Sequence, residues 1–143
     1  MKKVTAFLAV VLALACLLSL TACGDTNTVQ KNGVWASATY LKNTTFGNGQ
    51  KTVNVEVKAA DQAITFTVKT DKETVGAALL EHNLIAGEDG QYGLYVKVVN
   101  GITADYDVDQ SYWAFYIGGE YAMSGIDATT IQEGVTYQLV YTK

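Results

Sequence analysis

The chain has 143 residues, a formal net charge of −4, ten Lys and no Arg, fourteen acidic residues, two Cys, thirteen Gly and no Pro. An acidic chain without Arg offers no basic patch to neutralise phosphates, which excludes nucleic acid as a partner. Frequent Val, Ile, Thr and Tyr with Gly-containing breaks point to strands joined by turns.

Met1-Lys2-Lys3 is a short positive start, Val4 to Leu20 carries no charge, and Leu20-Thr21-Ala22 precedes Cys23 and Gly24. These are the parts of a secretory signal. The tetrapeptide Leu20-Thr21-Ala22-Cys23 resembles a bacterial lipobox, in which the peptidase cuts before the Cys and the Cys takes the acyl chains. Residues 1–22 are therefore expected to be a lipoprotein signal peptide and Cys23 the lipidation site. The alternatives are an uncut span, for which the apolar run is at the lower edge of sufficient length, and an ordinary signal cut elsewhere. Cleavage removes Lys2, Lys3 and Cys16, deepening the charge from −4 to about −6 by loss of two cations. Cys23 is then the sole Cys, so no disulfide can form within the mature chain. The negative balance also argues against docking to anionic headgroups beyond the lipid itself.

Residues 23–33 are small and polar and read as a flexible lipid-anchored tether, followed by a single domain over residues 34–143. Val34 to Leu41 reads as a first strand or edge segment, and Thr44 to Gly49 as a turn. Val53, Val55 and Val57 alternate with polar residues, as do Ile64, Phe66 and Val68. Two period-two runs across the Ala59–Gln62 link predict a β-hairpin with one buried face. Val75, Ala78, Leu79 and His82 fall at helical spacing. Thr70 with Glu73 is one capping option and Thr74 the other; the apolar stripe begins at Thr74, which favours it. Gly87 and Gly90 lie in a predicted loop. Leu94, Val96 and Val98 form a strand, Asn100-Gly101 turns the chain, and Asp105 to Gln110 is a polar loop. Tyr112 to Ile117 is an aromatic strand, Gly118-Gly119 a two-residue hairpin turn, and Val135 to Tyr141 the last strand. Hairpin, helix, then strands is the order of an α+β roll of β-grasp type: a mixed sheet with one covering helix. Repeated βαβ units are missing, which excludes a doubly wound fold.

Ile64 to Leu84, Tyr92-Gly93 to Asn100-Gly101, Tyr112-Trp113-Ala114-Phe115-Tyr116 with Gly119 and Tyr121-Ala122, and Gly134 to Tyr141 resemble the transcobalamin-like C-terminal domain family. The likeness covers about residues 53–142 and is carried mostly by folding motifs. It implies a β-grasp domain related to soluble-ligand-binding domains, in many members a lipoprotein of Gram-positive bacteria, and cobalamin as a ligand. The vitamin carriers of that family hold most of the ligand in a large α-helical domain that has no counterpart here. The resemblance thus implies half a corrinoid site, with a partner supplying the rest.

The aromatic cluster is the candidate site. By alternation Trp113, Phe115 and Ile117 share one face and Tyr112, Ala114 and Tyr116 the other. Trp113 and Phe115 are assigned to the core, leaving Tyr112 and Tyr116 facing out or under a loop. Tyr112, Tyr116, Tyr121 and Met123, with Gly118 and Gly119, are the candidate ligand-binding residues, since flat rings with hydroxyl tips suit a planar ligand or a protein partner. They predict a concave apolar pocket beside Tyr116 and Tyr121. Asp105, Asp107 and Asp109 have oxygen-ligand spacing, but Gln110 and Tyr116 stand where an EF-hand loop needs Gly and Glu, so they read as a solvated acidic loop. His82 lacks the companions of a zinc site and reads as a packed or capping residue. No metal ligand set and no catalytic residue is identified, since Ser111 and Ser124 lack a nucleophile elbow; the chain is expected not to be an enzyme. The expected function is a lipoprotein on the extracytoplasmic face of the cell membrane that binds a small molecule, with cobalamin the ligand implied by the resemblance and no firm cofactor, as accessory to an uptake system. The alternative is a non-enzymatic interaction module that docks to an envelope or transporter protein through an apolar patch or unpaired edge strand, with Trp35 as its suggested location.

Overall fold

The computed structural model describes residues 28–143. The expected signal peptide, Cys23 and the first part of the expected tether lie outside the described residues. Among the described residues nine strands, β1 (Thr44–Gly47), β2 (Lys51–Ala59), β3 (Gln62–Thr70), β4 (Ile85–Gly90), β5 (Gly93–Val99), β6 (Ile102–Thr103), β7 (Tyr112–Ile117), β8 (Glu120–Tyr121) and β9 (Thr136–Thr142), build a six-stranded mixed sheet, ordered β1-β3-β2-β9-β7-β8, and a three-stranded antiparallel sheet, ordered β4-β5-β6, accompanied by two short helices. The architecture is α+β.

The hairpin of β2 (Lys51–Ala59) and β3 (Gln62–Thr70) sets the register of the large sheet. Val53 faces Val68, Val55 faces Phe66 and Val57 faces Ile64, and each of these six is at most 1% exposed. The alternation works because a one-residue slip would turn every one of them to solvent. The turn is tighter than the sequence pattern suggests: Ala59 and Gln62 already pair, and Ala60 takes a left-handed φ of 52°. β9 (Thr136–Thr142) lies parallel to β2, with Tyr137 beside Val55 and Leu139 beside Val57. β7 (Tyr112–Ile117) runs back along β9, with Phe115 opposite Leu139 and Trp113 opposite Tyr141. Gly118 and Gly119, both at positive φ, return the chain into β8 (Glu120–Tyr121).

Helix α1 (Val75–Glu81) starts at Thr74, whose hydroxyl accepts from the Ala77 N–H at 3.2 Å. This is the cap position the apolar stripe favoured. Thr70 instead takes the Lys72 N–H and donates to Glu81. Val75, Ala78 and Leu79 are buried in the same core as the β2–β3 valines. The small sheet of β4 (Ile85–Gly90), β5 (Gly93–Val99) and β6 (Ile102–Thr103) adds Ile85, Val96, Val99 and Ile102 to it.

Four local expectations are corrected. Val34–Leu41 is no strand: Gly33–Ser37 forms a 3-10 turn that drives Trp35 into the core at 1% exposure, where its indole N–H donates to the Ala59 carbonyl at 3.0 Å. An edge patch around Trp35 is therefore ruled out. Thr44–Gly47 is strand β1 rather than a turn, parallel to β3; Phe46 meets the Tyr40 and Phe66 rings at 5.1 and 5.4 Å, a tertiary contact that outweighs the local Gly and Asn signals. Gly87 and Gly90 belong to β4, not a loop. Gly87 sits at a bulge so close to the Tyr95 carbonyl that a side chain would not fit. Asp105–Gln110 contains the one-turn helix α2 (Tyr106–Asp109), with Asp105 as N-cap and Gln110 left-handed at its end.

The expected tether also divides. From Thr28 onward the chain is fixed to the domain: Thr28 bridges Lys42, the Val29 N–H donates to Leu41 at 2.8 Å, and Val29 is buried. Asn100, read only as a turn residue, locks the following segment. Its side chain accepts from the Tyr40 N–H and donates to the Tyr40 carbonyl, both at 2.8 Å, while it is 1% exposed.

Candidate functional site: a groove between β5 and β7

β8 pairs only with Tyr116 and Ile117 of β7, and β6 pairs only with Val98 and Val99 of β5. The Ala122 N–H still donates to the Phe115 carbonyl at 2.9 Å, so the facing edges of β7 (Tyr112–Ala114) and β5 (Leu94–Val96) are left without a strand between them. There the structure has a cleft of about 240 Å³. Its walls are Leu94, Tyr95 and Val96 on one side and Trp113, Phe115 and Leu139 on the other, and the Tyr121–Ile126 segment closes it. A shallower recess of about 400 Å³ shares Leu94, Tyr95 and Gly125 with it and extends under the β4–β5 tip to Gln91 and Tyr92. Neither hollow is lined by a charged side chain.

The walls are held from behind. The Trp113 indole N–H donates to the Ile102 carbonyl at 3.2 Å, tying β7 to β6. Phe115 stacks on Tyr137 with centroids 6.1 Å apart. The Asp127 carboxylate, on the 3-10 turn Ile126–Ala128, accepts from the Leu94 N–H at 3.1 Å. Its other oxygen is buried without a hydrogen-bond partner. Gly93, at a φ of 103°, lets β5 come this close: a Cβ there would lie 2.7 Å from Asp127 Oδ2. On the outer side of β5, Lys97 pairs with Glu88 at 3.2 Å and Asp105 at 3.6 Å, and its pKa is raised, first by the hydrogen bond to Glu88.

The candidate residues separate. Tyr112 and Tyr121 line the cleft together with Trp113 and Phe115. Tyr116 does not line it; it packs edge-on against Tyr121, 5.6 Å between centroids, beside the hairpin turn. Gly118 and Gly119 shape that turn without lining the cleft, and Met123 projects from the connecting segment at 97% exposure. Tyr95, Tyr92 and Leu94 were missed as site residues: β5 alternation marked Leu94 and Val96 as core, and nothing local says that the strand faces a gap.

Asp105, Asp109 and His82 are occupied in local packing. Asp105 caps α2, and Asp109 accepts from Ser111 and pairs with Lys143 at 3.5 Å. The Ser111 hydrogen bonds hold the Asp109 carboxyl below the usual range. His82 ends α1, with its ring 5.6 Å from that of Phe46; its Nε2 is buried and without a hydrogen-bond partner. Among the described residues no three His, Cys, Asp or Glu side chains come together to hold a metal ion, and no helix is long and apolar enough to cross a membrane.

Two packed sheets with one covering helix and an uncharged groove at the open edge of the larger sheet define the class: an α+β domain with a hollow for a ligand or partner. Over residues 72–143 the chain matches the family described as Domain of unknown function (DUF4430), and it belongs to that family. It is similar to a protein of Ruminococcus gnavus termed a "putative metal binding protein", with 34% identity, a TM-score of 0.61, and coverage of 66% of this chain and 98% of that one. Haptocorrin, solved in complex with Cbi, shares the fold at 18% identity and a TM-score of 0.53; the likeness covers 68% of this chain and 26% of haptocorrin. No curated protein matches the sequence.

Proposed function

We propose that the mature chain is a non-enzymatic lipoprotein, held on the extracytoplasmic face of the cell membrane through Cys23, that binds a small, largely uncharged molecule in the β5–β7 groove. The observation that carries this reading is the groove: aromatic walls, no charged lining residue, and a strand edge in place of a complete sheet. A planar ligand would lie against Leu94 and Phe115, with Tyr95, Tyr112 and Tyr121 at the rim. The fold shared with haptocorrin makes a corrinoid the first ligand to test and supports a β-grasp relationship to the transcobalamin-like domains. At about 240 Å³ the cleft falls short of the roughly 300–1,000 Å³ that encloses a drug-sized ligand. It would clasp one side of a corrinoid, and a second protein of an uptake system would cover the other.

Calorimetric titration of the soluble chain from Gly24 with cobalamin and with cobinamide tests this. Saturable heat, lost in Tyr95→Ala and Tyr121→Ala while Tyr116→Ala is less affected, is the expected result. No heat with either ligand in a folded protein would overturn the corrinoid assignment. A second reading, a docking module for an envelope protein, is favoured by the open β7 edge together with Tyr92 at 90% and Met123 at 97% exposure. A stable complex with an envelope protein, abolished by Met123→Glu and indifferent to corrinoids, would select it.

A further inference from the structure

The described chain begins clamped at one end of the large sheet. Thr28 bridges Lys42, the Gln30 N–H donates to Gln62 Oε1, and Gln62 Nε2 donates back to the Gln30 carbonyl at 3.3 Å. Gln62 opens β3 directly after the Ala60–Asp61 turn. The strands that flank the groove run from this end to the opposite one. Lys58 lies beside Val140, and Tyr112 faces Thr142, so β7 begins at the turn end and reaches Ile117 at the far end. β5 likewise runs from its tip at Gly93 toward Asn100, whose carbonyl is bound to Thr39 near the entry segment. The β4–β5 tip at Tyr92 and the Gly118–Gly119 hairpin therefore stand at the end remote from Thr28, and the groove runs from there back toward Tyr112.

Length makes this one-sided. Cys23 precedes Thr28 by about five residues, which span at most roughly 17 Å. The strands between the two ends, at about 3.3 Å per residue, separate them by roughly 25 Å. A domain anchored at Cys23 cannot invert to bring its far end to the bilayer. Charge acts against lying on its side. Lys31, Lys42 and Lys58 at the turn end are exposed and in no ion pair among the described residues. At that end Asp61 and Asp107 are the unpaired acids, since Asp105 and Asp109 are matched by Lys97 and Lys143. The far end carries Asp71, Glu73, Glu81, Glu120, Asp127 and Glu133 against Lys51, Lys69 and Lys72, with Lys51 held by Glu73 at 2.8 Å. Anionic headgroups attract the first set and repel the second.

We infer that the anchored domain stands with its Ala60–Asp61 turn on the anionic headgroups and with its β4–β5 tip and Gly118–Gly119 hairpin, the outer end of the groove, facing away from them. The inference rests on the lipid anchor at Cys23 proposed above. It gives the turn-end lysines a partner, an anionic lipid surface, that net charge alone argued against.

The test uses the mature chain lipidated on Cys23 and reconstituted into vesicles of phosphatidylglycerol and phosphatidylcholine containing a headgroup-nitroxide lipid. With the Cys23 sulfur consumed, Asp61→Cys or Glu120→Cys supplies the one thiol for a fluorophore. The dye at position 61 is expected to be quenched several-fold more than the dye at 120, and the contrast to narrow in a Lys31→Gln, Lys42→Gln, Lys58→Gln variant. Equal quenching at both sites, or stronger quenching at 120, overturns the orientation while leaving the anchor intact. Mass spectrometry of the chain from a lipidating host separates the two failures: an unmodified Cys23 overturns the anchor and the orientation with it.

Discussion

Replacing Asp127 by Ala removes the clamp behind the groove. Its Oδ2 takes the Leu94 N–H at 3.1 Å, and the same carboxylate fills the space against Gly93 and Gly125. A hydrogen bond to a charged acceptor contributes about 1.5–3 kcal/mol, and an unpaired buried N–H costs a similar amount. The partnerless Oδ1 already carries a desolvation penalty that leaves with the side chain. The net loss is set at about 2 kcal/mol, a fall in Tm of roughly 5–10 °C for a domain of this size. The same change frees the start of β5, where Leu94 and Tyr95 form one wall of the cleft. Amide hydrogen exchange at Leu94 is expected to accelerate by more than the global loss of stability accounts for, while exchange in β2 and β3 follows the global value. Asp127→Asn, which retains an acceptor for Leu94, is expected to recover most of the protection. If Leu94 exchange in Asp127→Ala tracks only the global change, the clamp reasoning is wrong.

Gly76→Ala gains about 1 kcal/mol of helix propensity in α1, yet its Cβ would lie 2.7 Å from Asp127 Cα. Overpacking against backbone costs about 1–3 kcal/mol, so thermal denaturation should show no gain and a net loss of up to about 2 kcal/mol; a stabilised variant would contradict the packing. Asn100→Ala loses both side-chain bonds to Tyr40 and leaves Ala at a φ of 53°. A cost of about 3 kcal/mol or more by urea denaturation is expected from two unpaired buried groups and left-handed strain. Because Ser111 hydrogen bonds lower the Asp109 pKa, its contribution is complete above the unfolded carboxyl pKa of about 3.9 and is lost as pH falls through the folded value. The Tm gap between parent and Asp109→Asn should be present at neutral pH and close in strong acid; a gap unchanged by acid would refute the assignment.

What the sequence revealed and what it hid divide along physical lines. Period-two burial in β2, β3 and β9 and the Thr74 cap are local signals, and they were legible because each strand meets its core through its own alternation. Trp35, β1 and β4 were misread for the opposite reason. Each is fixed by a distant partner — Ala59, Phe66 and Tyr95 respectively — that local propensity does not encode. The aromatic strand was marked as a candidate site, but its two faces do not divide as the alternation suggests: Ala114, placed outward, is buried, and Phe115, placed in the core, is half-buried. The groove was not marked, because it is a gap between strands: Tyr95 becomes a wall only once β5 is laid opposite β7. Asp127 left no mark in the sequence, since its partner Leu94 is 33 residues away along the chain.

The strand made last is the strand placed in the middle. β9 ends at Thr142, yet it joins β2 on one side to β7 on the other. Without β9, the hairpin of β2 and β3 and the β7–β8 ribbon are two pieces with no shared ladder. Loss of even the last seven residues would take away Tyr137 and Leu139 and leave two fragments where the complete chain has one sheet.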